Sequence, residues 1–268
     1  MKLLKTLPFF ILCLLLSPLA YSDDAAQLAK QRQLFQQAKK ALQDNQIPGY
    51  QALYKQLDGY PLQGYLQYLY LNGRLNQASN ASMHQFLTKE DGSFYAERLR
   101  NFWLNKLAQQ KRWTDYLSFY QAPQTATRQC YYLQALLVTG QKQKAFEQAP
   151  ELWLVPHSQE KACDPVFSAW EAAGLLNKDL RHQRMMLAIR DNQFSMANYL
   201  AKSTANPEQN QLLVKQWQSI HDNPLPVLNG LAKDKTLSRD NALNREIIIH
   251  GLQRLARRSP EQAFNSWL

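Results

Sequence analysis

Apolar side chains recur at helical spacing along this chain, in pairs of stripes joined by short polar turns. Between residues 95 and 107 the large apolar residues fall on one face of an α-helix. They are Tyr95, Leu99, Phe102, Trp103 and Leu107. The polar turn Gln109-Gln110-Lys111 follows, and a second apolar stripe begins at Trp113. The segment therefore predicts two helices joined by a short turn.

The next stripe pair repeats this plan. Residues 131–138 are apolar apart from Gln134, and a return stripe over residues 145–153 follows the turn at Gly140. Gly140 suits the position just after a helix, where positive φ ends the helix cheaply. Pro150 should kink or divide the return helix, because proline lacks the backbone N–H that a helix interior needs.

Later segments follow the same pattern with different loops. Two more pairs join residues 179–190 to 194–201 and residues 243–255 to a last helix. That last helix opens with Ser259 as N-cap and Pro260 in the first helical position. The stretches 203–208 and 223–235, rich in Pro, Asn and Lys, are predicted connectors.

The predicted fold class follows from these pairs. The turns near residues 110, 140, 191 and 259 are unevenly spaced, which excludes a regular tetratricopeptide array. Helix pairs of this kind bury their stripes by stacking. Nine Gly and five Val against 31 Gln argue against a β-rich or doubly wound protein, and 45% apolar residues argue against disorder. We predict an all-α protein of irregular helix-hairpin repeats stacked into a superhelical α-solenoid.

Residues 1–22 have the layout of a secretory signal peptide. Lys2 and Lys5 precede an apolar run too short to cross a bilayer, and a small-residue pattern ends at Ser22. A buried N-terminal helix is the alternative. We predict export with cleavage after Ser22, an α-superhelical domain at residues 23–268, and no transmembrane segment in the mature chain.

The chain is basic, with a formal net charge of +10. Removing the two lysines of the predicted signal peptide, which contains no acid, leaves +8. A positive excess favours acidic partners. Because an exported chain does not meet nucleic acid, no nucleic-acid partner is expected.

Two cysteines remain once Cys13 is removed with the signal peptide, namely Cys130 and Cys163. In an oxidising compartment a lone pair 33 positions apart predicts one disulfide, worth ~3–4 kcal/mol by loop entropy. A zinc site would need two more ligands, and the five histidines lack metal-ligand spacing. A catalytic cysteine stays open as an alternative, because its partner histidine would be arranged in space. We expect no metal and no cofactor.

Aromatic residues at helical spacing have two interpretations. The set is Tyr65, Tyr68, Trp103, Trp113 and Trp170. The first interpretation is packing between helices, since large aromatics dominate buried contacts. The second is a groove in which their flat faces stack on sugar rings.

Several motifs lie along the chain in a recognisable order. They are Gly59-Tyr60-Pro61-Leu62, Tyr65-Leu66-Gln67-Tyr68, Gln129-Cys130-Tyr131-Tyr132, Gly140-Gln141, Glu151-Leu152-Trp153-Leu154, Ala162-Cys163-Asp164, Phe167-Ser168, Trp170 and Gly174. In order and spacing they resemble the N-terminal superhelical part of the soluble lytic murein transglycosylases, over roughly residues 41–203.

The resemblance implies a periplasmic protein that acts on peptidoglycan glycan strands. In that family a ring-shaped superhelix precedes a C-terminal lysozyme-like domain. One glutamate of that domain protonates the glycosidic oxygen between N-acetylmuramic acid and N-acetylglucosamine, and the muramyl 6-hydroxyl closes a 1,6-anhydro ring. No metal or organic cofactor takes part.

The family's catalytic pattern is missing from this sequence. None of the nine glutamates is followed by Ser, and neither the Gly-Leu-Met-Gln nor the Ala-Tyr-Asn-Ala-Gly segment occurs. We assign no catalytic residue. Because the sequence stops inside an apolar stripe, we expect the first part of a longer superhelix, inactive alone and missing its C-terminal catalytic domain.

Two other functions stay open, an exported helical-repeat adaptor that binds a protein partner and an unrecognised hydrolase.

Charged residues beside the motifs have ordinary interpretations. Glu160 and Asp164 are caps or solvated charges flanking Cys163, with an acid role as the alternative. The basic set Arg254, Arg257 and Arg258 is a solvated helix face or a contact for stem-peptide carboxylates.

Overall fold

A computed structural model describes the backbone of residues 19–267 and the side chains of residues 25–266. Within that range the chain forms fifteen α-helices and no β-strand. The helices are α1 Leu19–Gln43, α2 Ile47–Lys55, α3 Gln63–Asn72, α4 Asn80–Lys89, α5 Phe94–Gln109, α6 Trp113–Phe119, α7 Ala126–Val138, α8 Lys142–Trp153, α9 Asp164–Ala172, α10 Lys178–Arg190, α11 Phe194–Ala201, α12 Pro207–Asp222, α13 Pro224–Asn229, α14 Ala242–Arg258 and α15 Pro260–Trp267.

The predicted signal peptide falls mostly outside the described residues. Residues 1–18 are not described, and residues 19–22 belong to the first turn of α1. No helix in the described part of the chain is long and apolar enough to cross a membrane.

The chain divides into two compact units, the first ending at Lys111 and the second starting at Arg112. In the first unit α1 packs against α2 and α3, and α5 packs against α3 and α4. The core there is apolar and closely packed. Phe35, Ala38 and Leu66 lie in one cluster that joins the first three helices.

The second unit is a series of adjacent helix pairs. Helices α7 and α8, α10 and α11, and α14 and α15 form hairpins, and α12 packs against both α11 and α14. One continuous apolar cluster runs through these layers. It includes Leu133, Trp170, Ile189, Trp217 and Ile247, each at most 2% exposed. The predicted all-α class of irregular hairpins, stacked as in an α-solenoid, is therefore confirmed within each unit.

Two of the helix-joining turns have the same backbone geometry. Gly140 and Asn192 have φ of 85° and 61°, in the left-handed region. The N–H of each following residue bonds back to a helix carbonyl five positions earlier, from Gln141 to Leu136 and from Gln193 to Ala188, both at 2.8 Å. This is the Schellman arrangement, which satisfies carbonyls at a helix end. The predicted role of Gly140 is confirmed.

Three details differ from the sequence expectations. Helix α8 is continuous through Pro150 and is not divided there. The predicted connector at 203–208 ends sooner, because Pro207 occupies the first turn of α12, where its missing N–H costs nothing. The connector at 223–235 contains α13 and a 3-10 turn at Leu231–Lys233.

Candidate functional site

Cys130 and Cys163 lie in the second unit, and both are fully buried. Cys130 of α7 and Cys163, at the end of the 3-10 turn Lys161–Cys163, form a disulfide with their Cα atoms 4.9 Å apart. One turn farther along α7, the Gln134 amide donates to the Ala162 carbonyl at 2.6 Å. Both links hold the segment before α9 against α7.

A buried arginine holds the other end of the same segment. The guanidinium of Arg184 in α10 lies 4.1 Å from the ring centre of Trp153. It donates to the carbonyls of Val155 and His157 at 3.2 and 2.9 Å. Burial lowers the pKa of Arg184 to about 10. These contacts order the loop that follows α8.

The aromatic residues highlighted in the sequence pack inside their units. Tyr68, Trp103 and Trp170 are at most 6% exposed. Tyr65 and Trp113 are half-buried: Tyr65 contacts Tyr68 and Tyr95, and Trp113 contacts Tyr116 and Tyr131. This burial favours packing between helices over a groove in which the aromatic faces stack on sugar rings.

Glu90 of the first unit accepts a hydrogen bond from a tyrosine side chain. The Tyr95 hydroxyl donates to Glu90 Oε2 at 2.7 Å, and the Tyr54 hydroxyl donates to Gln67 Oε1 at 3.0 Å. Burial and then the Glu90 contact raise the pKa of Tyr95, and burial raises the pKa of Tyr54. Because both phenols stay protonated, they act here as hydrogen-bond donors to neighbouring oxygens.

The first unit contains an amide-rich cleft of about 510 Å³ between the end of α3, the turn after it and one face of α5. Two cations line it, Arg74 and Lys106, and Phe102 supplies an aromatic face. Five amide side chains complete the polar lining, namely Asn72, Asn76, Gln77, Asn105 and Gln109. No carboxylate lines this cleft among the described residues.

Both cations of this cleft are oriented by neutral groups. Arg74 donates through Nη2 to Asn45 Oδ1, and its guanidinium lies 5.4 Å from the ring centre of Tyr70. Lys106 donates to Asn76 Oδ1. An amide oxygen or a tyrosine ring fixes a cation in place but leaves its charge uncompensated.

A second cleft of about 520 Å³ lies in the second unit, between the start of α10, α12 and the turn before α14. Asn210 and Asn244 are buried in it, at 8% and 7% exposure. Asn244 holds the turn by donating to the carbonyls of Thr236 and Arg239 at 2.7 and 2.9 Å. This cleft includes the carboxylate of Asp179 beside its cations, so its charge is mixed.

Two histidines meet between α12 and α14. His221 Nδ1 lies 3.0 Å from His250 Nε2, so one neutral ring donates to the other. Burial is the main cause that lowers the pKa of each ring, with nearby Arg254 adding to both and His221 adding to His250. Asp222 acts in the opposite direction on His221, and Glu246 does so on His250.

The remaining charged residues highlighted in the sequence do not come together in a site. Arg254 donates to the carbonyl of His221 at 2.6 Å, whereas Arg257 and Arg258 are exposed at the end of α14. Asp164 starts α9, and Glu160 lies just before the 3-10 turn. Within the part of the chain whose side chains are described, no group of three His, Cys, Asp or Glu is placed to hold a metal.

Comparison with known proteins gives consistent matches. The soluble lytic murein transglycosylase of Escherichia coli (strain K12) is 31% identical over 218 residues, which is 81% of this chain and 33% of that protein. The protein of the same description from Salmonella typhimurium is 30% identical over 205 residues, covering 76% of this chain and 32% of its own length. No protein-family model matches.

Solved structures of lytic transglycosylases match this chain as well. The 70-kDa soluble lytic transglycosylase in complex with bulgecin A matches with a TM-score of 0.69 and 28% identity, over 89% of this chain and 38% of that one. An inactive mutant of the lytic transglycosylase Slt from Pseudomonas aeruginosa matches with a TM-score of 0.66 and 31% identity, over 87% and 37%. This chain is homologous to the soluble lytic murein transglycosylases. It spans about a third of the length of the curated relatives it matches.

Several of the residues that carry the resemblance to the transglycosylases are buried packing residues. Tyr60 is 9% exposed and contacts Phe35, and Tyr68, Cys130 and Trp170 are also buried. These buried positions therefore belong to the helical framework and do not by themselves mark a ligand site.

The sequence reasoning missed the cleft of the first unit, although a signal was present. Phe102, Asn105, Lys106 and Gln109 are spaced i, i+3, i+4 and i+7 and so share one face of α5. Phe102 also belongs to the apolar stripe of this helix, which conceals the polar residues beside it. A polar stripe next to a polar turn, Asn72 to Gln77, is the pattern that identifies this wall of the cleft.

Proposed function

We propose that this chain is the N-terminal superhelical part of a periplasmic soluble lytic murein transglycosylase and that it binds peptidoglycan during its turnover. The observation that carries the proposal is the 31% identity over 218 residues with a transglycosylase, joined to a matching fold. The predicted signal peptide and the disulfide suit an oxidising compartment outside the cytoplasm.

The proposal separates glycan binding from catalysis because of the sequence context of the glutamates. The family cleaves the bond between N-acetylmuramic acid and N-acetylglucosamine with one glutamate in a Glu-Ser pair. No Glu-Ser pair occurs in this sequence. We propose that these residues hold or scaffold the glycan strand, and that a C-terminal lysozyme-like domain supplies the acid.

Charge supports binding to peptidoglycan. Its stem peptides carry carboxylates, and the chain keeps a formal net charge of +8 after removal of the predicted signal peptide. A basic surface raises the local concentration of an anionic polymer. The attraction should weaken with added salt, because exposed charges are screened over about 10 Å at 0.1 M salt.

Purified sacculi test the proposal directly. The full chain should co-sediment with sacculi, and mass spectrometry of the supernatant should detect no anhydro-muropeptides. A complete transglycosylase serves as the positive control for cleavage. Failure to co-sediment at low salt would refute binding, and release of anhydro products would refute the proposed inactivity.

A further inference from the structure

We infer that the cleft of the first unit is a binding site for a carboxylate of a peptidoglycan fragment, with Arg74 and Lys106 as the anion-binding groups. The source of the carboxylate rests on the proposed function. The carboxylate preference itself rests on the charge and geometry of the cleft.

Uncompensated charge is the first support. No Asp or Glu lines the cleft in the described part of the chain, and neither cation forms an ion pair there. Arg74 and Lys106 instead bond to the amide oxygens of Asn45 and Asn76. A bound anion would therefore meet two positive charges without displacing a carboxylate of the protein.

Free hydrogen-bond donors are the second support. A guanidinium has five N–H donors, and the bond to Asn45 uses the Nη2 group. The planar fork matches a carboxylate with two parallel bonds. Because the ring of Tyr70 and the amide of Asn45 both contact Arg74, its side chain is ordered before a ligand arrives. Such preorganisation lowers the entropic cost of binding.

The rest of the lining suits a glycopeptide. The side chains of Asn72, Gln77, Asn105 and Gln109 donate and accept hydrogen bonds, as sugar hydroxyls, acetamido groups and peptide groups require. Phe102 adds an apolar contact, with Arg98 over its ring at 5.5 Å. A volume of about 510 Å³ suits a fragment of the polymer more than a long strand.

The cleft of the second unit does not offer the same charge. Its lining includes Asp179 next to Lys178, and a carboxylate ligand would be repelled by that side chain. The carboxylate preference is therefore assigned to the first unit.

A binding experiment with matched ligands tests this assignment. Isothermal titration of the full chain compares a disaccharide-tetrapeptide muropeptide with chitobiose, which has acetamido groups but no carboxylate. We expect measurable binding of the muropeptide and at least tenfold weaker binding of chitobiose. Arg74→Gln and Lys106→Gln should each weaken muropeptide binding about tenfold or more, as expected for a hydrogen bond to a charged group.

The control variant is Lys215→Gln, which removes one exposed positive charge of α12 in the other unit and should leave affinity unchanged. Arg74→Lys keeps the charge but loses the fork, so intermediate binding is expected. If Arg74→Gln fails to fold by circular dichroism, Lys106→Gln and Arg74→Lys carry the test.

Each outcome decides one claim. Equal affinity for chitobiose, or unchanged affinity in the folded variants at residues 74 and 106, would overturn the cleft assignment. A chain that sediments with sacculi but binds no muropeptide would also overturn it, while the proposed function would stand. Loss of sacculus binding altogether would instead refute the proposed function.

Discussion

Gly64 of α3 leaves room for the carboxylate of Glu90. A methyl group at residue 64 should therefore lower the free energy of unfolding when residue 90 is Glu and raise it when residue 90 is Ala. Gly64 is buried inside the helix. The three atoms that a Cβ at residue 64 would meet first are all in the carboxyl group of Glu90. The same carboxylate accepts the Tyr95 hydroxyl at 2.7 Å. Gly64→Ala should therefore push Glu90 aside and break that hydrogen bond.

The magnitude follows from two opposing terms. Alanine in a helix is more favourable than glycine by about 0.5–1 kcal/mol. A hydrogen bond to a charged group contributes about 1.5–3 kcal/mol, and the half-exposed position of Glu90 favours the lower end. Gly64→Ala alone should then lower the free energy of unfolding by about 1 kcal/mol. In a Glu90→Ala background the same change should raise it by about 0.5–1 kcal/mol.

Urea denaturation of the four chains in a double-mutant cycle measures the difference. Gly49→Ala is a matched control, because Gly49 lies in α2 and a Cβ there would make only an ordinary van der Waals contact, at 3.9 Å from the Cβ of Gln46. That change should stabilise the chain equally in both backgrounds. Glu90→Gln keeps the side-chain volume, so Gly64→Ala should still be harmful beside it.

A single result would refute this reasoning. If Gly64→Ala changes the free energy of unfolding by the same amount with Glu90 and with Ala at residue 90, the two positions do not interact. The close approach of Glu90 to α3 would then have no energetic consequence.

Three other predictions concern the second unit. Removing the disulfide with the double variant Cys130→Ala/Cys163→Ala should lower the free energy of unfolding by ~3–4 kcal/mol through loop entropy, and urea denaturation measures the loss; a difference near zero would contradict it. Arg184→Met should cost ~2–4 kcal/mol because two loop carbonyls lose their donor, and Arg184→Lys should restore only part of the thermal stability. Since the pKa values of His221 and His250 are lowered in the folded chain, the unfolded chain binds protons first and stability should fall as the pH drops below about 6.5; equal urea midpoints at about pH 7.5 and 5 would contradict this.

Most of the fold was predictable because helix pairs leave a strong periodic signal. The stripe from Tyr95 to Leu107 lies in α5, and the turns at Gly140 and Asn192 end α7 and α10 with positive φ. The spacing of apolar residues indicates which face of a helix is buried, independently of the length and conformation of the loops. Pro150 does not divide α8, because a proline near a helix end loses few hydrogen bonds and α8 ends three residues later.

Polar sites gave a weaker signal because their residues come from separate elements. Lys106 lies in α5, Asn76 in the turn after α3, and Asn45 in the turn after α1. Neither Arg74 nor Lys106 stands out in a sequence with 31 Lys and Arg. The two are brought together in a cleft that no Asp or Glu lines among the described residues, and this is a property of the packing of α3 on α5.

The difference between buried and solvent-exposed positions explains why the residues that carry the resemblance are not the residues of the proposed binding site. Tyr60, Tyr68 and Cys130 carry the resemblance to transglycosylases because each fills a fixed space in the core, and core space restricts the side chain chemically. Arg74 and Lys106 border solvent, where many side chains fit without cost to the fold. Identity near 30% and a matching fold describe the framework and carry no information about the residues of the cleft. The affinity of the cleft for carboxylates thus has to be tested on this chain, residue by residue.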